Sequence, residues 1–137
     1  MPLRARLLSL LPMRKPKRPA LSRAREHRIA EEIVVDAYTS DERAIGWHCY
    51  LDGKLRFPFK AKCIAVREIS PLKKGEEVEV LGMAPEDDCM KEMFVIVGFA
   101  GRRLGVPLAQ LDPVKPDKAT REAMEDWRYW QQMGWEF

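Results

Sequence analysis

The densest group of residues able to do chemistry lies at residues 84–92 (APEDDCMKE), where Glu86, Asp87 and Asp88 follow one another and Glu92 comes soon after. Three successive carboxylates repel each other, so such a run costs stability unless water solvates it or a cation neutralises it. Hard divalent ions suit these oxygens. Calcium accepts roughly six to eight of them at flexible geometry, so side chains on a turn, backbone carbonyls and water can complete a shell, whereas magnesium demands a stricter octahedron. The alternative is a solvated hairpin tip whose acids keep the turn soluble. Other acids stand where they could join a cation site: Asp36 at the end of a first helix, Asp41 and Glu42 at the start of a second, Asp52 after it, and Glu125 and Asp126 on the last helix. Asp41 and Glu42 are equally explained by the helix dipole. None of these acids opens the DxDxDG pattern with a glutamate at the twelfth place, so an EF-hand is excluded.

The inventory for catalysis is short. The two histidines are His27 and His48, and the three cysteines, Cys49, Cys63 and Cys89, are odd in number and form no CxxC pair. That spacing argues against a disulfide framework and a thiolate zinc site. Adjacent helical residues such as His48 and Cys49 point about 100° apart and cannot act as a dyad. No GxSxG, phosphate-loop, dinucleotide-binding or HExxH pattern occurs. An enzyme using Cys63 or Cys89 would require a thiol of lowered pKa.

The elements that must carry these residues are legible in periodicity. Residues 22–38 combine helix formers with Ile29, Ile33, Val34 and Ala37 at helical spacing. Thr39 and Glu42 form a capping box for a second helix running to Leu51, which Asp52 and Gly53 end. Residues 60–69 alternate as a half-buried strand, and residues 76–82 alternate with Glu77 and Glu79 on one side and Val78 and Val80 on the other. Residues 93–100 are an apolar strand, Gly101, Arg102 and Arg103 a tight turn, and residues 104–108 a returning strand. A last helix spans residues 117–133, capped by Asp117 or Thr120. The expected fold is α+β: two N-terminal helices, a small antiparallel sheet or SH3-like barrel, and one C-terminal helix.

Charge divides the chain. Of its 137 residues, 1–26 hold eight basic side chains against Glu26 alone, a net of +7, and the whole-chain charge of +3 then leaves 3 − 7 = −4 for the remainder. Residues 1–26 are read as a basic flexible extension and residues 27–137 as one acidic domain. Pro12 interrupts the apolar stretch at residues 7–11 early and no small-residue cleavage site follows, which argues against secretion; a transit-like segment or a start assigned too far upstream are other readings. The extension has no aromatic on which a base could stack, so nucleic acid would be a partner only through its charge.

Taken together, residues 32–38 (EIVVDAY), 44–47 (AIGW), 50–52 (YLD), 57–63 (FPFKAKC), 70–75 (SPLKKG), 77–89 (EVEVLGMAPEDDC), 106–111 (VPLAQL) and 127–130 (WRYW) resemble the cyanobacterial-type CcbP family of calcium-binding proteins. The resemblance covers about residues 28–137. It implies an α+β, non-EF-hand, non-enzymatic protein of the cytoplasm that holds Ca²⁺ through clustered surface carboxylates, with a buffering or signalling role. Glu86, Asp87 and Asp88 match the family's acidic stretch, and Asp36 and Asp52 its acidic helix ends. The expected metal ligands are therefore Glu86, Asp87, Asp88, Glu92, Asp52 and Asp36. The expected partners are the calcium ion and an unidentified protein, with no membrane span. The alternative from another class is an SH3-like interaction module that grips a partner with Tyr129, Trp130, Trp135 and Phe137 while its basic tail contacts nucleic acid or an acidic partner.

Overall fold

The computed structural model describes residues 20–135 and residue 137. Helix α1 (Arg23–Arg28) begins at Ser22, whose hydroxyl accepts from the Arg25 N–H at 3.2 Å, and runs on into a π-helical turn, Ile29–Ile33. Residues 20–26, expected in the extension, are thus described with the domain. The Ser22 N–H donates to the Tyr129 hydroxyl at 3.1 Å, and Arg25 reaches the C-terminal helix. Asp36 follows in the left-handed region at φ 55°, where the chain turns.

Helix α2 (Ser40–Lys54) starts with the expected capping box, both arms of which are formed. It does not stop at Asp52 and Gly53. Its last turn continues to Lys54, whose ammonium donates to Glu122 at 2.7 Å, and the Leu55 N–H still reaches the Leu51 carbonyl at 2.9 Å. Tertiary contact overrides the stop signal. Gly46 lets α2 cross the π-helical turn closely, since a Cβ there would stand 2.3 Å from the Ile33 carbonyl oxygen.

Five antiparallel strands form one sheet in the order β4-β3-β2-β1-β5: β1 (Phe59–Cys63), β2 (Glu77–Met83), β3 (Phe94–Phe99), β4 (Arg102–Pro107) and β5 (Leu111–Pro113). β4 and β5 lie at opposite edges, yet only the 3-10 turn Leu108–Gln110 separates them in sequence, so the sheet has to curl. The wet face pairs Lys60 with Glu79 and Lys62 with Glu77 across β1 and β2, opposite charges directly facing. Ala61, Cys63, Val78 and Val80 point inward. The expected strand at 60–69 is cut short at Cys63. Beyond it the chain leaves the sheet, and Ile64, Val66 and Ile69 are exposed despite the alternation of the sequence. Between β3 and β4, Ala100 and Gly101 both take positive φ (52° and 75°), the two-residue turn whose twist matches that of the strands.

Helix α3 (Lys118–Gln132) is capped by Asp117, which accepts from the Thr120 N–H at 2.8 Å. Ala123, Trp127 and Trp130 fall on its buried face, and Trp47 of α2 meets Trp127 and Trp130 with ring centroids 5.0 and 5.5 Å apart. These rings and Leu51 join Val80, Val95, Val97, Val106 and Leu111 of the sheet in one core.

Candidate metal centre

The connection from β2 to β3 is anchored at both ends. Ala84 and Cys89 are buried; the Ala84 N–H donates to the Phe94 carbonyl at 3.0 Å, and the Cys89 sulfur accepts from the Phe94 N–H at 3.4 Å. Pro85 starts the 3-10 turn Glu86–Cys89, tightened by a 2.9 Å bond from the Asp88 N–H to the Pro85 carbonyl. His48, projecting from α2, bonds through Nε2 to the Ala84 carbonyl at 2.7 Å. The turn is thereby fixed against α2, while Glu86, Asp87 and Asp88 stand exposed and form no ion pair with a described residue. Their oxygens are hard donors facing water, which is the chemistry calcium takes and a thiol- or imidazole-seeking metal does not.

The other expected ligands are placed unequally. Asp52 is exposed one helical turn beyond His48, so it shares the stripe of α2 that faces the turn. Asp36 is exposed before the opposite end of that helix. Asp36 lies in the turn that leads into α2, and Asp52 lies near the far end of that helix. Glu92 is held: Arg67 donates to both of its oxygens, at 2.8 and 3.0 Å. That hydrogen bonding raises the Arg67 pKa further above its ordinary value. Among the described residues, no three or more His, Cys, Asp or Glu side chains already converge in a metal-ready group. A shell here would be assembled by the exposed side chains moving onto the ion, with water completing it.

Glu125 and Asp126 do not approach the turn. Asp126 is completely buried and accepts from Arg25 at 2.9 Å, from Arg28 at 2.8 and 2.7 Å and from the Tyr50 hydroxyl at 2.6 Å. Burial alone would push its carboxyl up, but the hydrogen bonds of Arg28 and Tyr50 and the charge of Arg28 outweigh it and hold the pKa below the usual range. Burial and the bond to Asp126 together push the Tyr50 phenol well above its ordinary value. Glu125 pairs at 3.5 Å with Arg25.

The sequence reads Asp41 as an acid that could join a cation site and that the helix dipole explains equally well. With Ser40 it lines the same groove as Met90, Lys91 and Glu92, so the turn runs alongside α2 from His48 toward the start of that helix. Sequence order offers no sign of this, since about fifty residues separate the two walls. Cys89 is pushed up in pKa, first by burial and then by nearby Asp88 and Glu86, the reverse of what a nucleophilic thiol needs.

No helix among the described residues is long and apolar enough to cross a membrane. A family model described as calcium binding, CcbP, matches residues 27–131. The crystal structure of Anabaena CcbP is 41% identical over 86% of this chain and 98% of its own, with a TM-score of 0.77. The structure of a calcium binding protein in the calcium-binding form is also 41% identical, over 85% of this chain and 95% of its own, with a TM-score of 0.76. No curated protein compared with the chain matches it. Sequence, the helices and five-stranded antiparallel sheet, and an anchored acidic turn thus agree that this chain belongs to the CcbP family of calcium-binding proteins.

Proposed function

We propose that this protein binds Ca²⁺ in the cytoplasm, without catalysis, through Glu86, Asp87 and Asp88 together with Asp52, and that it serves as a calcium buffer or a signalling component. The observation that carries the reading is the contrast within the turn: its ends are buried and bonded, and its three acids are exposed and free of ion pairs with described residues. An anchored backbone lowers the ordering cost of binding, and three unneutralised carboxylates supply the charge that offsets calcium desolvation. Glu92 joins only if Arg67 releases it, which costs affinity. Asp36, in the turn before α2, stays outside this set of ligands.

Calorimetric titration of the full chain with Ca²⁺ under excess Mg²⁺, with amide shifts followed by NMR, tests this. Saturable binding with shifts at residues 52 and 86–89 is the expected result. Absence of saturable heat, or shifts that Mg²⁺ reproduces, would refute the assignment.

A further inference from the structure

The loop between β1 and β2 is held to the molecule at its two ends and, between them, by one side chain. The Ile64 N–H donates to the Gln110 carbonyl at 2.8 Å, and Leu72 is buried. From 64 to 69 every residue is exposed except Arg67, with Val66 and Ile69 at 71% and 62% exposure. The other bonds that residues 65–69 make among the described residues are local: the Cys63 thiol donates to the Ala65 carbonyl at 3.1 Å, and the Ser70 N–H to the Arg67 carbonyl at 3.1 Å. Arg67 alone reaches a distant described partner, its guanidinium donating to both oxygens of Glu92 at 3.0 and 2.8 Å. A segment with so little burial and one such tether belongs to the parts of a fold that open most easily.

The carboxylate at the other end of that tether belongs to the connection that carries the acidic turn. This connection closes on itself: the Ala84 N–H donates to the Phe94 carbonyl at 3.0 Å, and the Cys89 sulfur, between the two limbs, accepts from the Phe94 N–H at 3.4 Å. Glu86, Asp87 and Asp88 stand on one limb and Glu92 on the other, separated from Asp88 by at most about 14 Å of chain. Calcium takes roughly six to eight oxygens, and a carboxylate can give it two, the same two that Arg67 occupies. Glu92 cannot serve both cations. With side chains 37% and 19% exposed, the Arg67–Glu92 pair is held weakly enough for a divalent ion to displace the guanidinium. Resting on the calcium reading of the acidic turn, we propose that Ca²⁺ and Arg67 compete for Glu92, so that calcium binding releases residues 65–69 from the rest of the molecule. The pair is then a latch, and filling the metal site changes the order of a loop that carries Val66 and Ile69 and holds none of the ligands. The coupling runs both ways, so cutting the latch tightens calcium binding by the factor by which calcium opens it.

The test is ¹⁵N relaxation on the full chain. Without calcium, the backbone order parameters of residues 65–69 should lie near those of the strands, about 0.85, and saturating Ca²⁺ should lower them below about 0.6 while the amides of residues 86–88 shift. Arg67→Gln should show the low values without calcium, and calcium should leave them there. Shifts at residues 86–88 with residues 65–69 still ordered would overturn the latch and leave the calcium reading intact. No saturable shift at any amide would overturn both. Full order at residues 65–69 in calcium-free Arg67→Gln would show that the pair does not hold the loop and would overturn the latch, as would low values already present in the calcium-free wild type.

Discussion

Two acidic regions of this protein put the same functional group to opposite uses. Asp126 lies at the centre of the helical layer with no solvent exposure, and Arg25, Arg28 and Tyr50 saturate both of its oxygens. Glu86, Asp87 and Asp88 crowd a turn on the surface and pair with no described residue. In the first region the charge has been neutralised by the fold and serves to tie α1 and α2 to α3. In the second the fold has fixed only the backbone, through His48, Cys89 and Phe94, and left the charge to be neutralised from outside. An acid count alone does not separate a strut from a ligand; the completeness of its partner set does.

The contrast is broken most severely by Asp126→Ala, which removes the shared acceptor of two guanidinium groups and a phenol. A loss of about 3 kcal/mol or more in unfolding free energy is expected, read from urea midpoints at neutral pH. Calcium affinity measured below the unfolding transition should stay within about twofold; a large drop would show that the two regions are coupled.

Neutralising the turn with Glu86→Gln, Asp87→Asn and Asp88→Asn together should do the reverse. Calcium affinity should fall by about tenfold or more, roughly 1.4 kcal/mol, while stability without calcium stays level or rises slightly as repulsion is relieved. Unchanged affinity by calorimetry would place the ion elsewhere.

The pH dependence of stability sharpens the first region on both its acid and its alkaline side. The Asp126 pKa is lowered on folding, so its contribution is complete above the unfolded value near 3.8 and is lost as pH falls through the folded one. The Tyr50 pKa is raised, so its contribution is complete below the unfolded value near 10.0 and is lost as pH climbs above it. Asp126→Asn should flatten the acid limb of a stability-versus-pH curve and Tyr50→Phe the alkaline limb. A wild-type curve without an acid limb below pH 4 would contradict the partner set drawn for Asp126.

The smallest effect concerns Glu92, which stands between the two uses. Arg67→Gln removes the two bonds that occupy its oxygens and should tighten calcium binding by a few-fold at most, because the pair is only partly buried. Weaker binding in this variant would mean that Arg67 supports the turn and does not compete with the ion.

Much of the fold was legible locally. The capping box at Thr39 and Glu42, the alternation of residues 77–80 and the cap at Asp117 each act over three or four residues, and each stands where periodicity places it. Expectations failed where a distant group decided the outcome. Lys54 extends α2 past a glycine because Glu122 waits on α3. The alternating residues 64–69 form no strand: the Ile64 N–H still reaches the Gln110 carbonyl at 2.8 Å, and beyond it the chain leaves the sheet. The π-helical turn at residues 29–33 has no counterpart in the simple helical spacing of its apolar residues.

The sequence by itself determined an acidic body with a run of three carboxylates behind a proline, an α+β order of elements and the absence of an EF-hand loop. Those properties depend on composition and on neighbours a few residues away. Only the tertiary structure decided that Asp126 is a buried strut, that Glu92 is already engaged and that Asp41 meets the segment after the turn. Each of these rests on a partner brought from 25 to about 100 residues away, and charge, solvation and distance at a carboxylate are properties of that assembled neighbourhood.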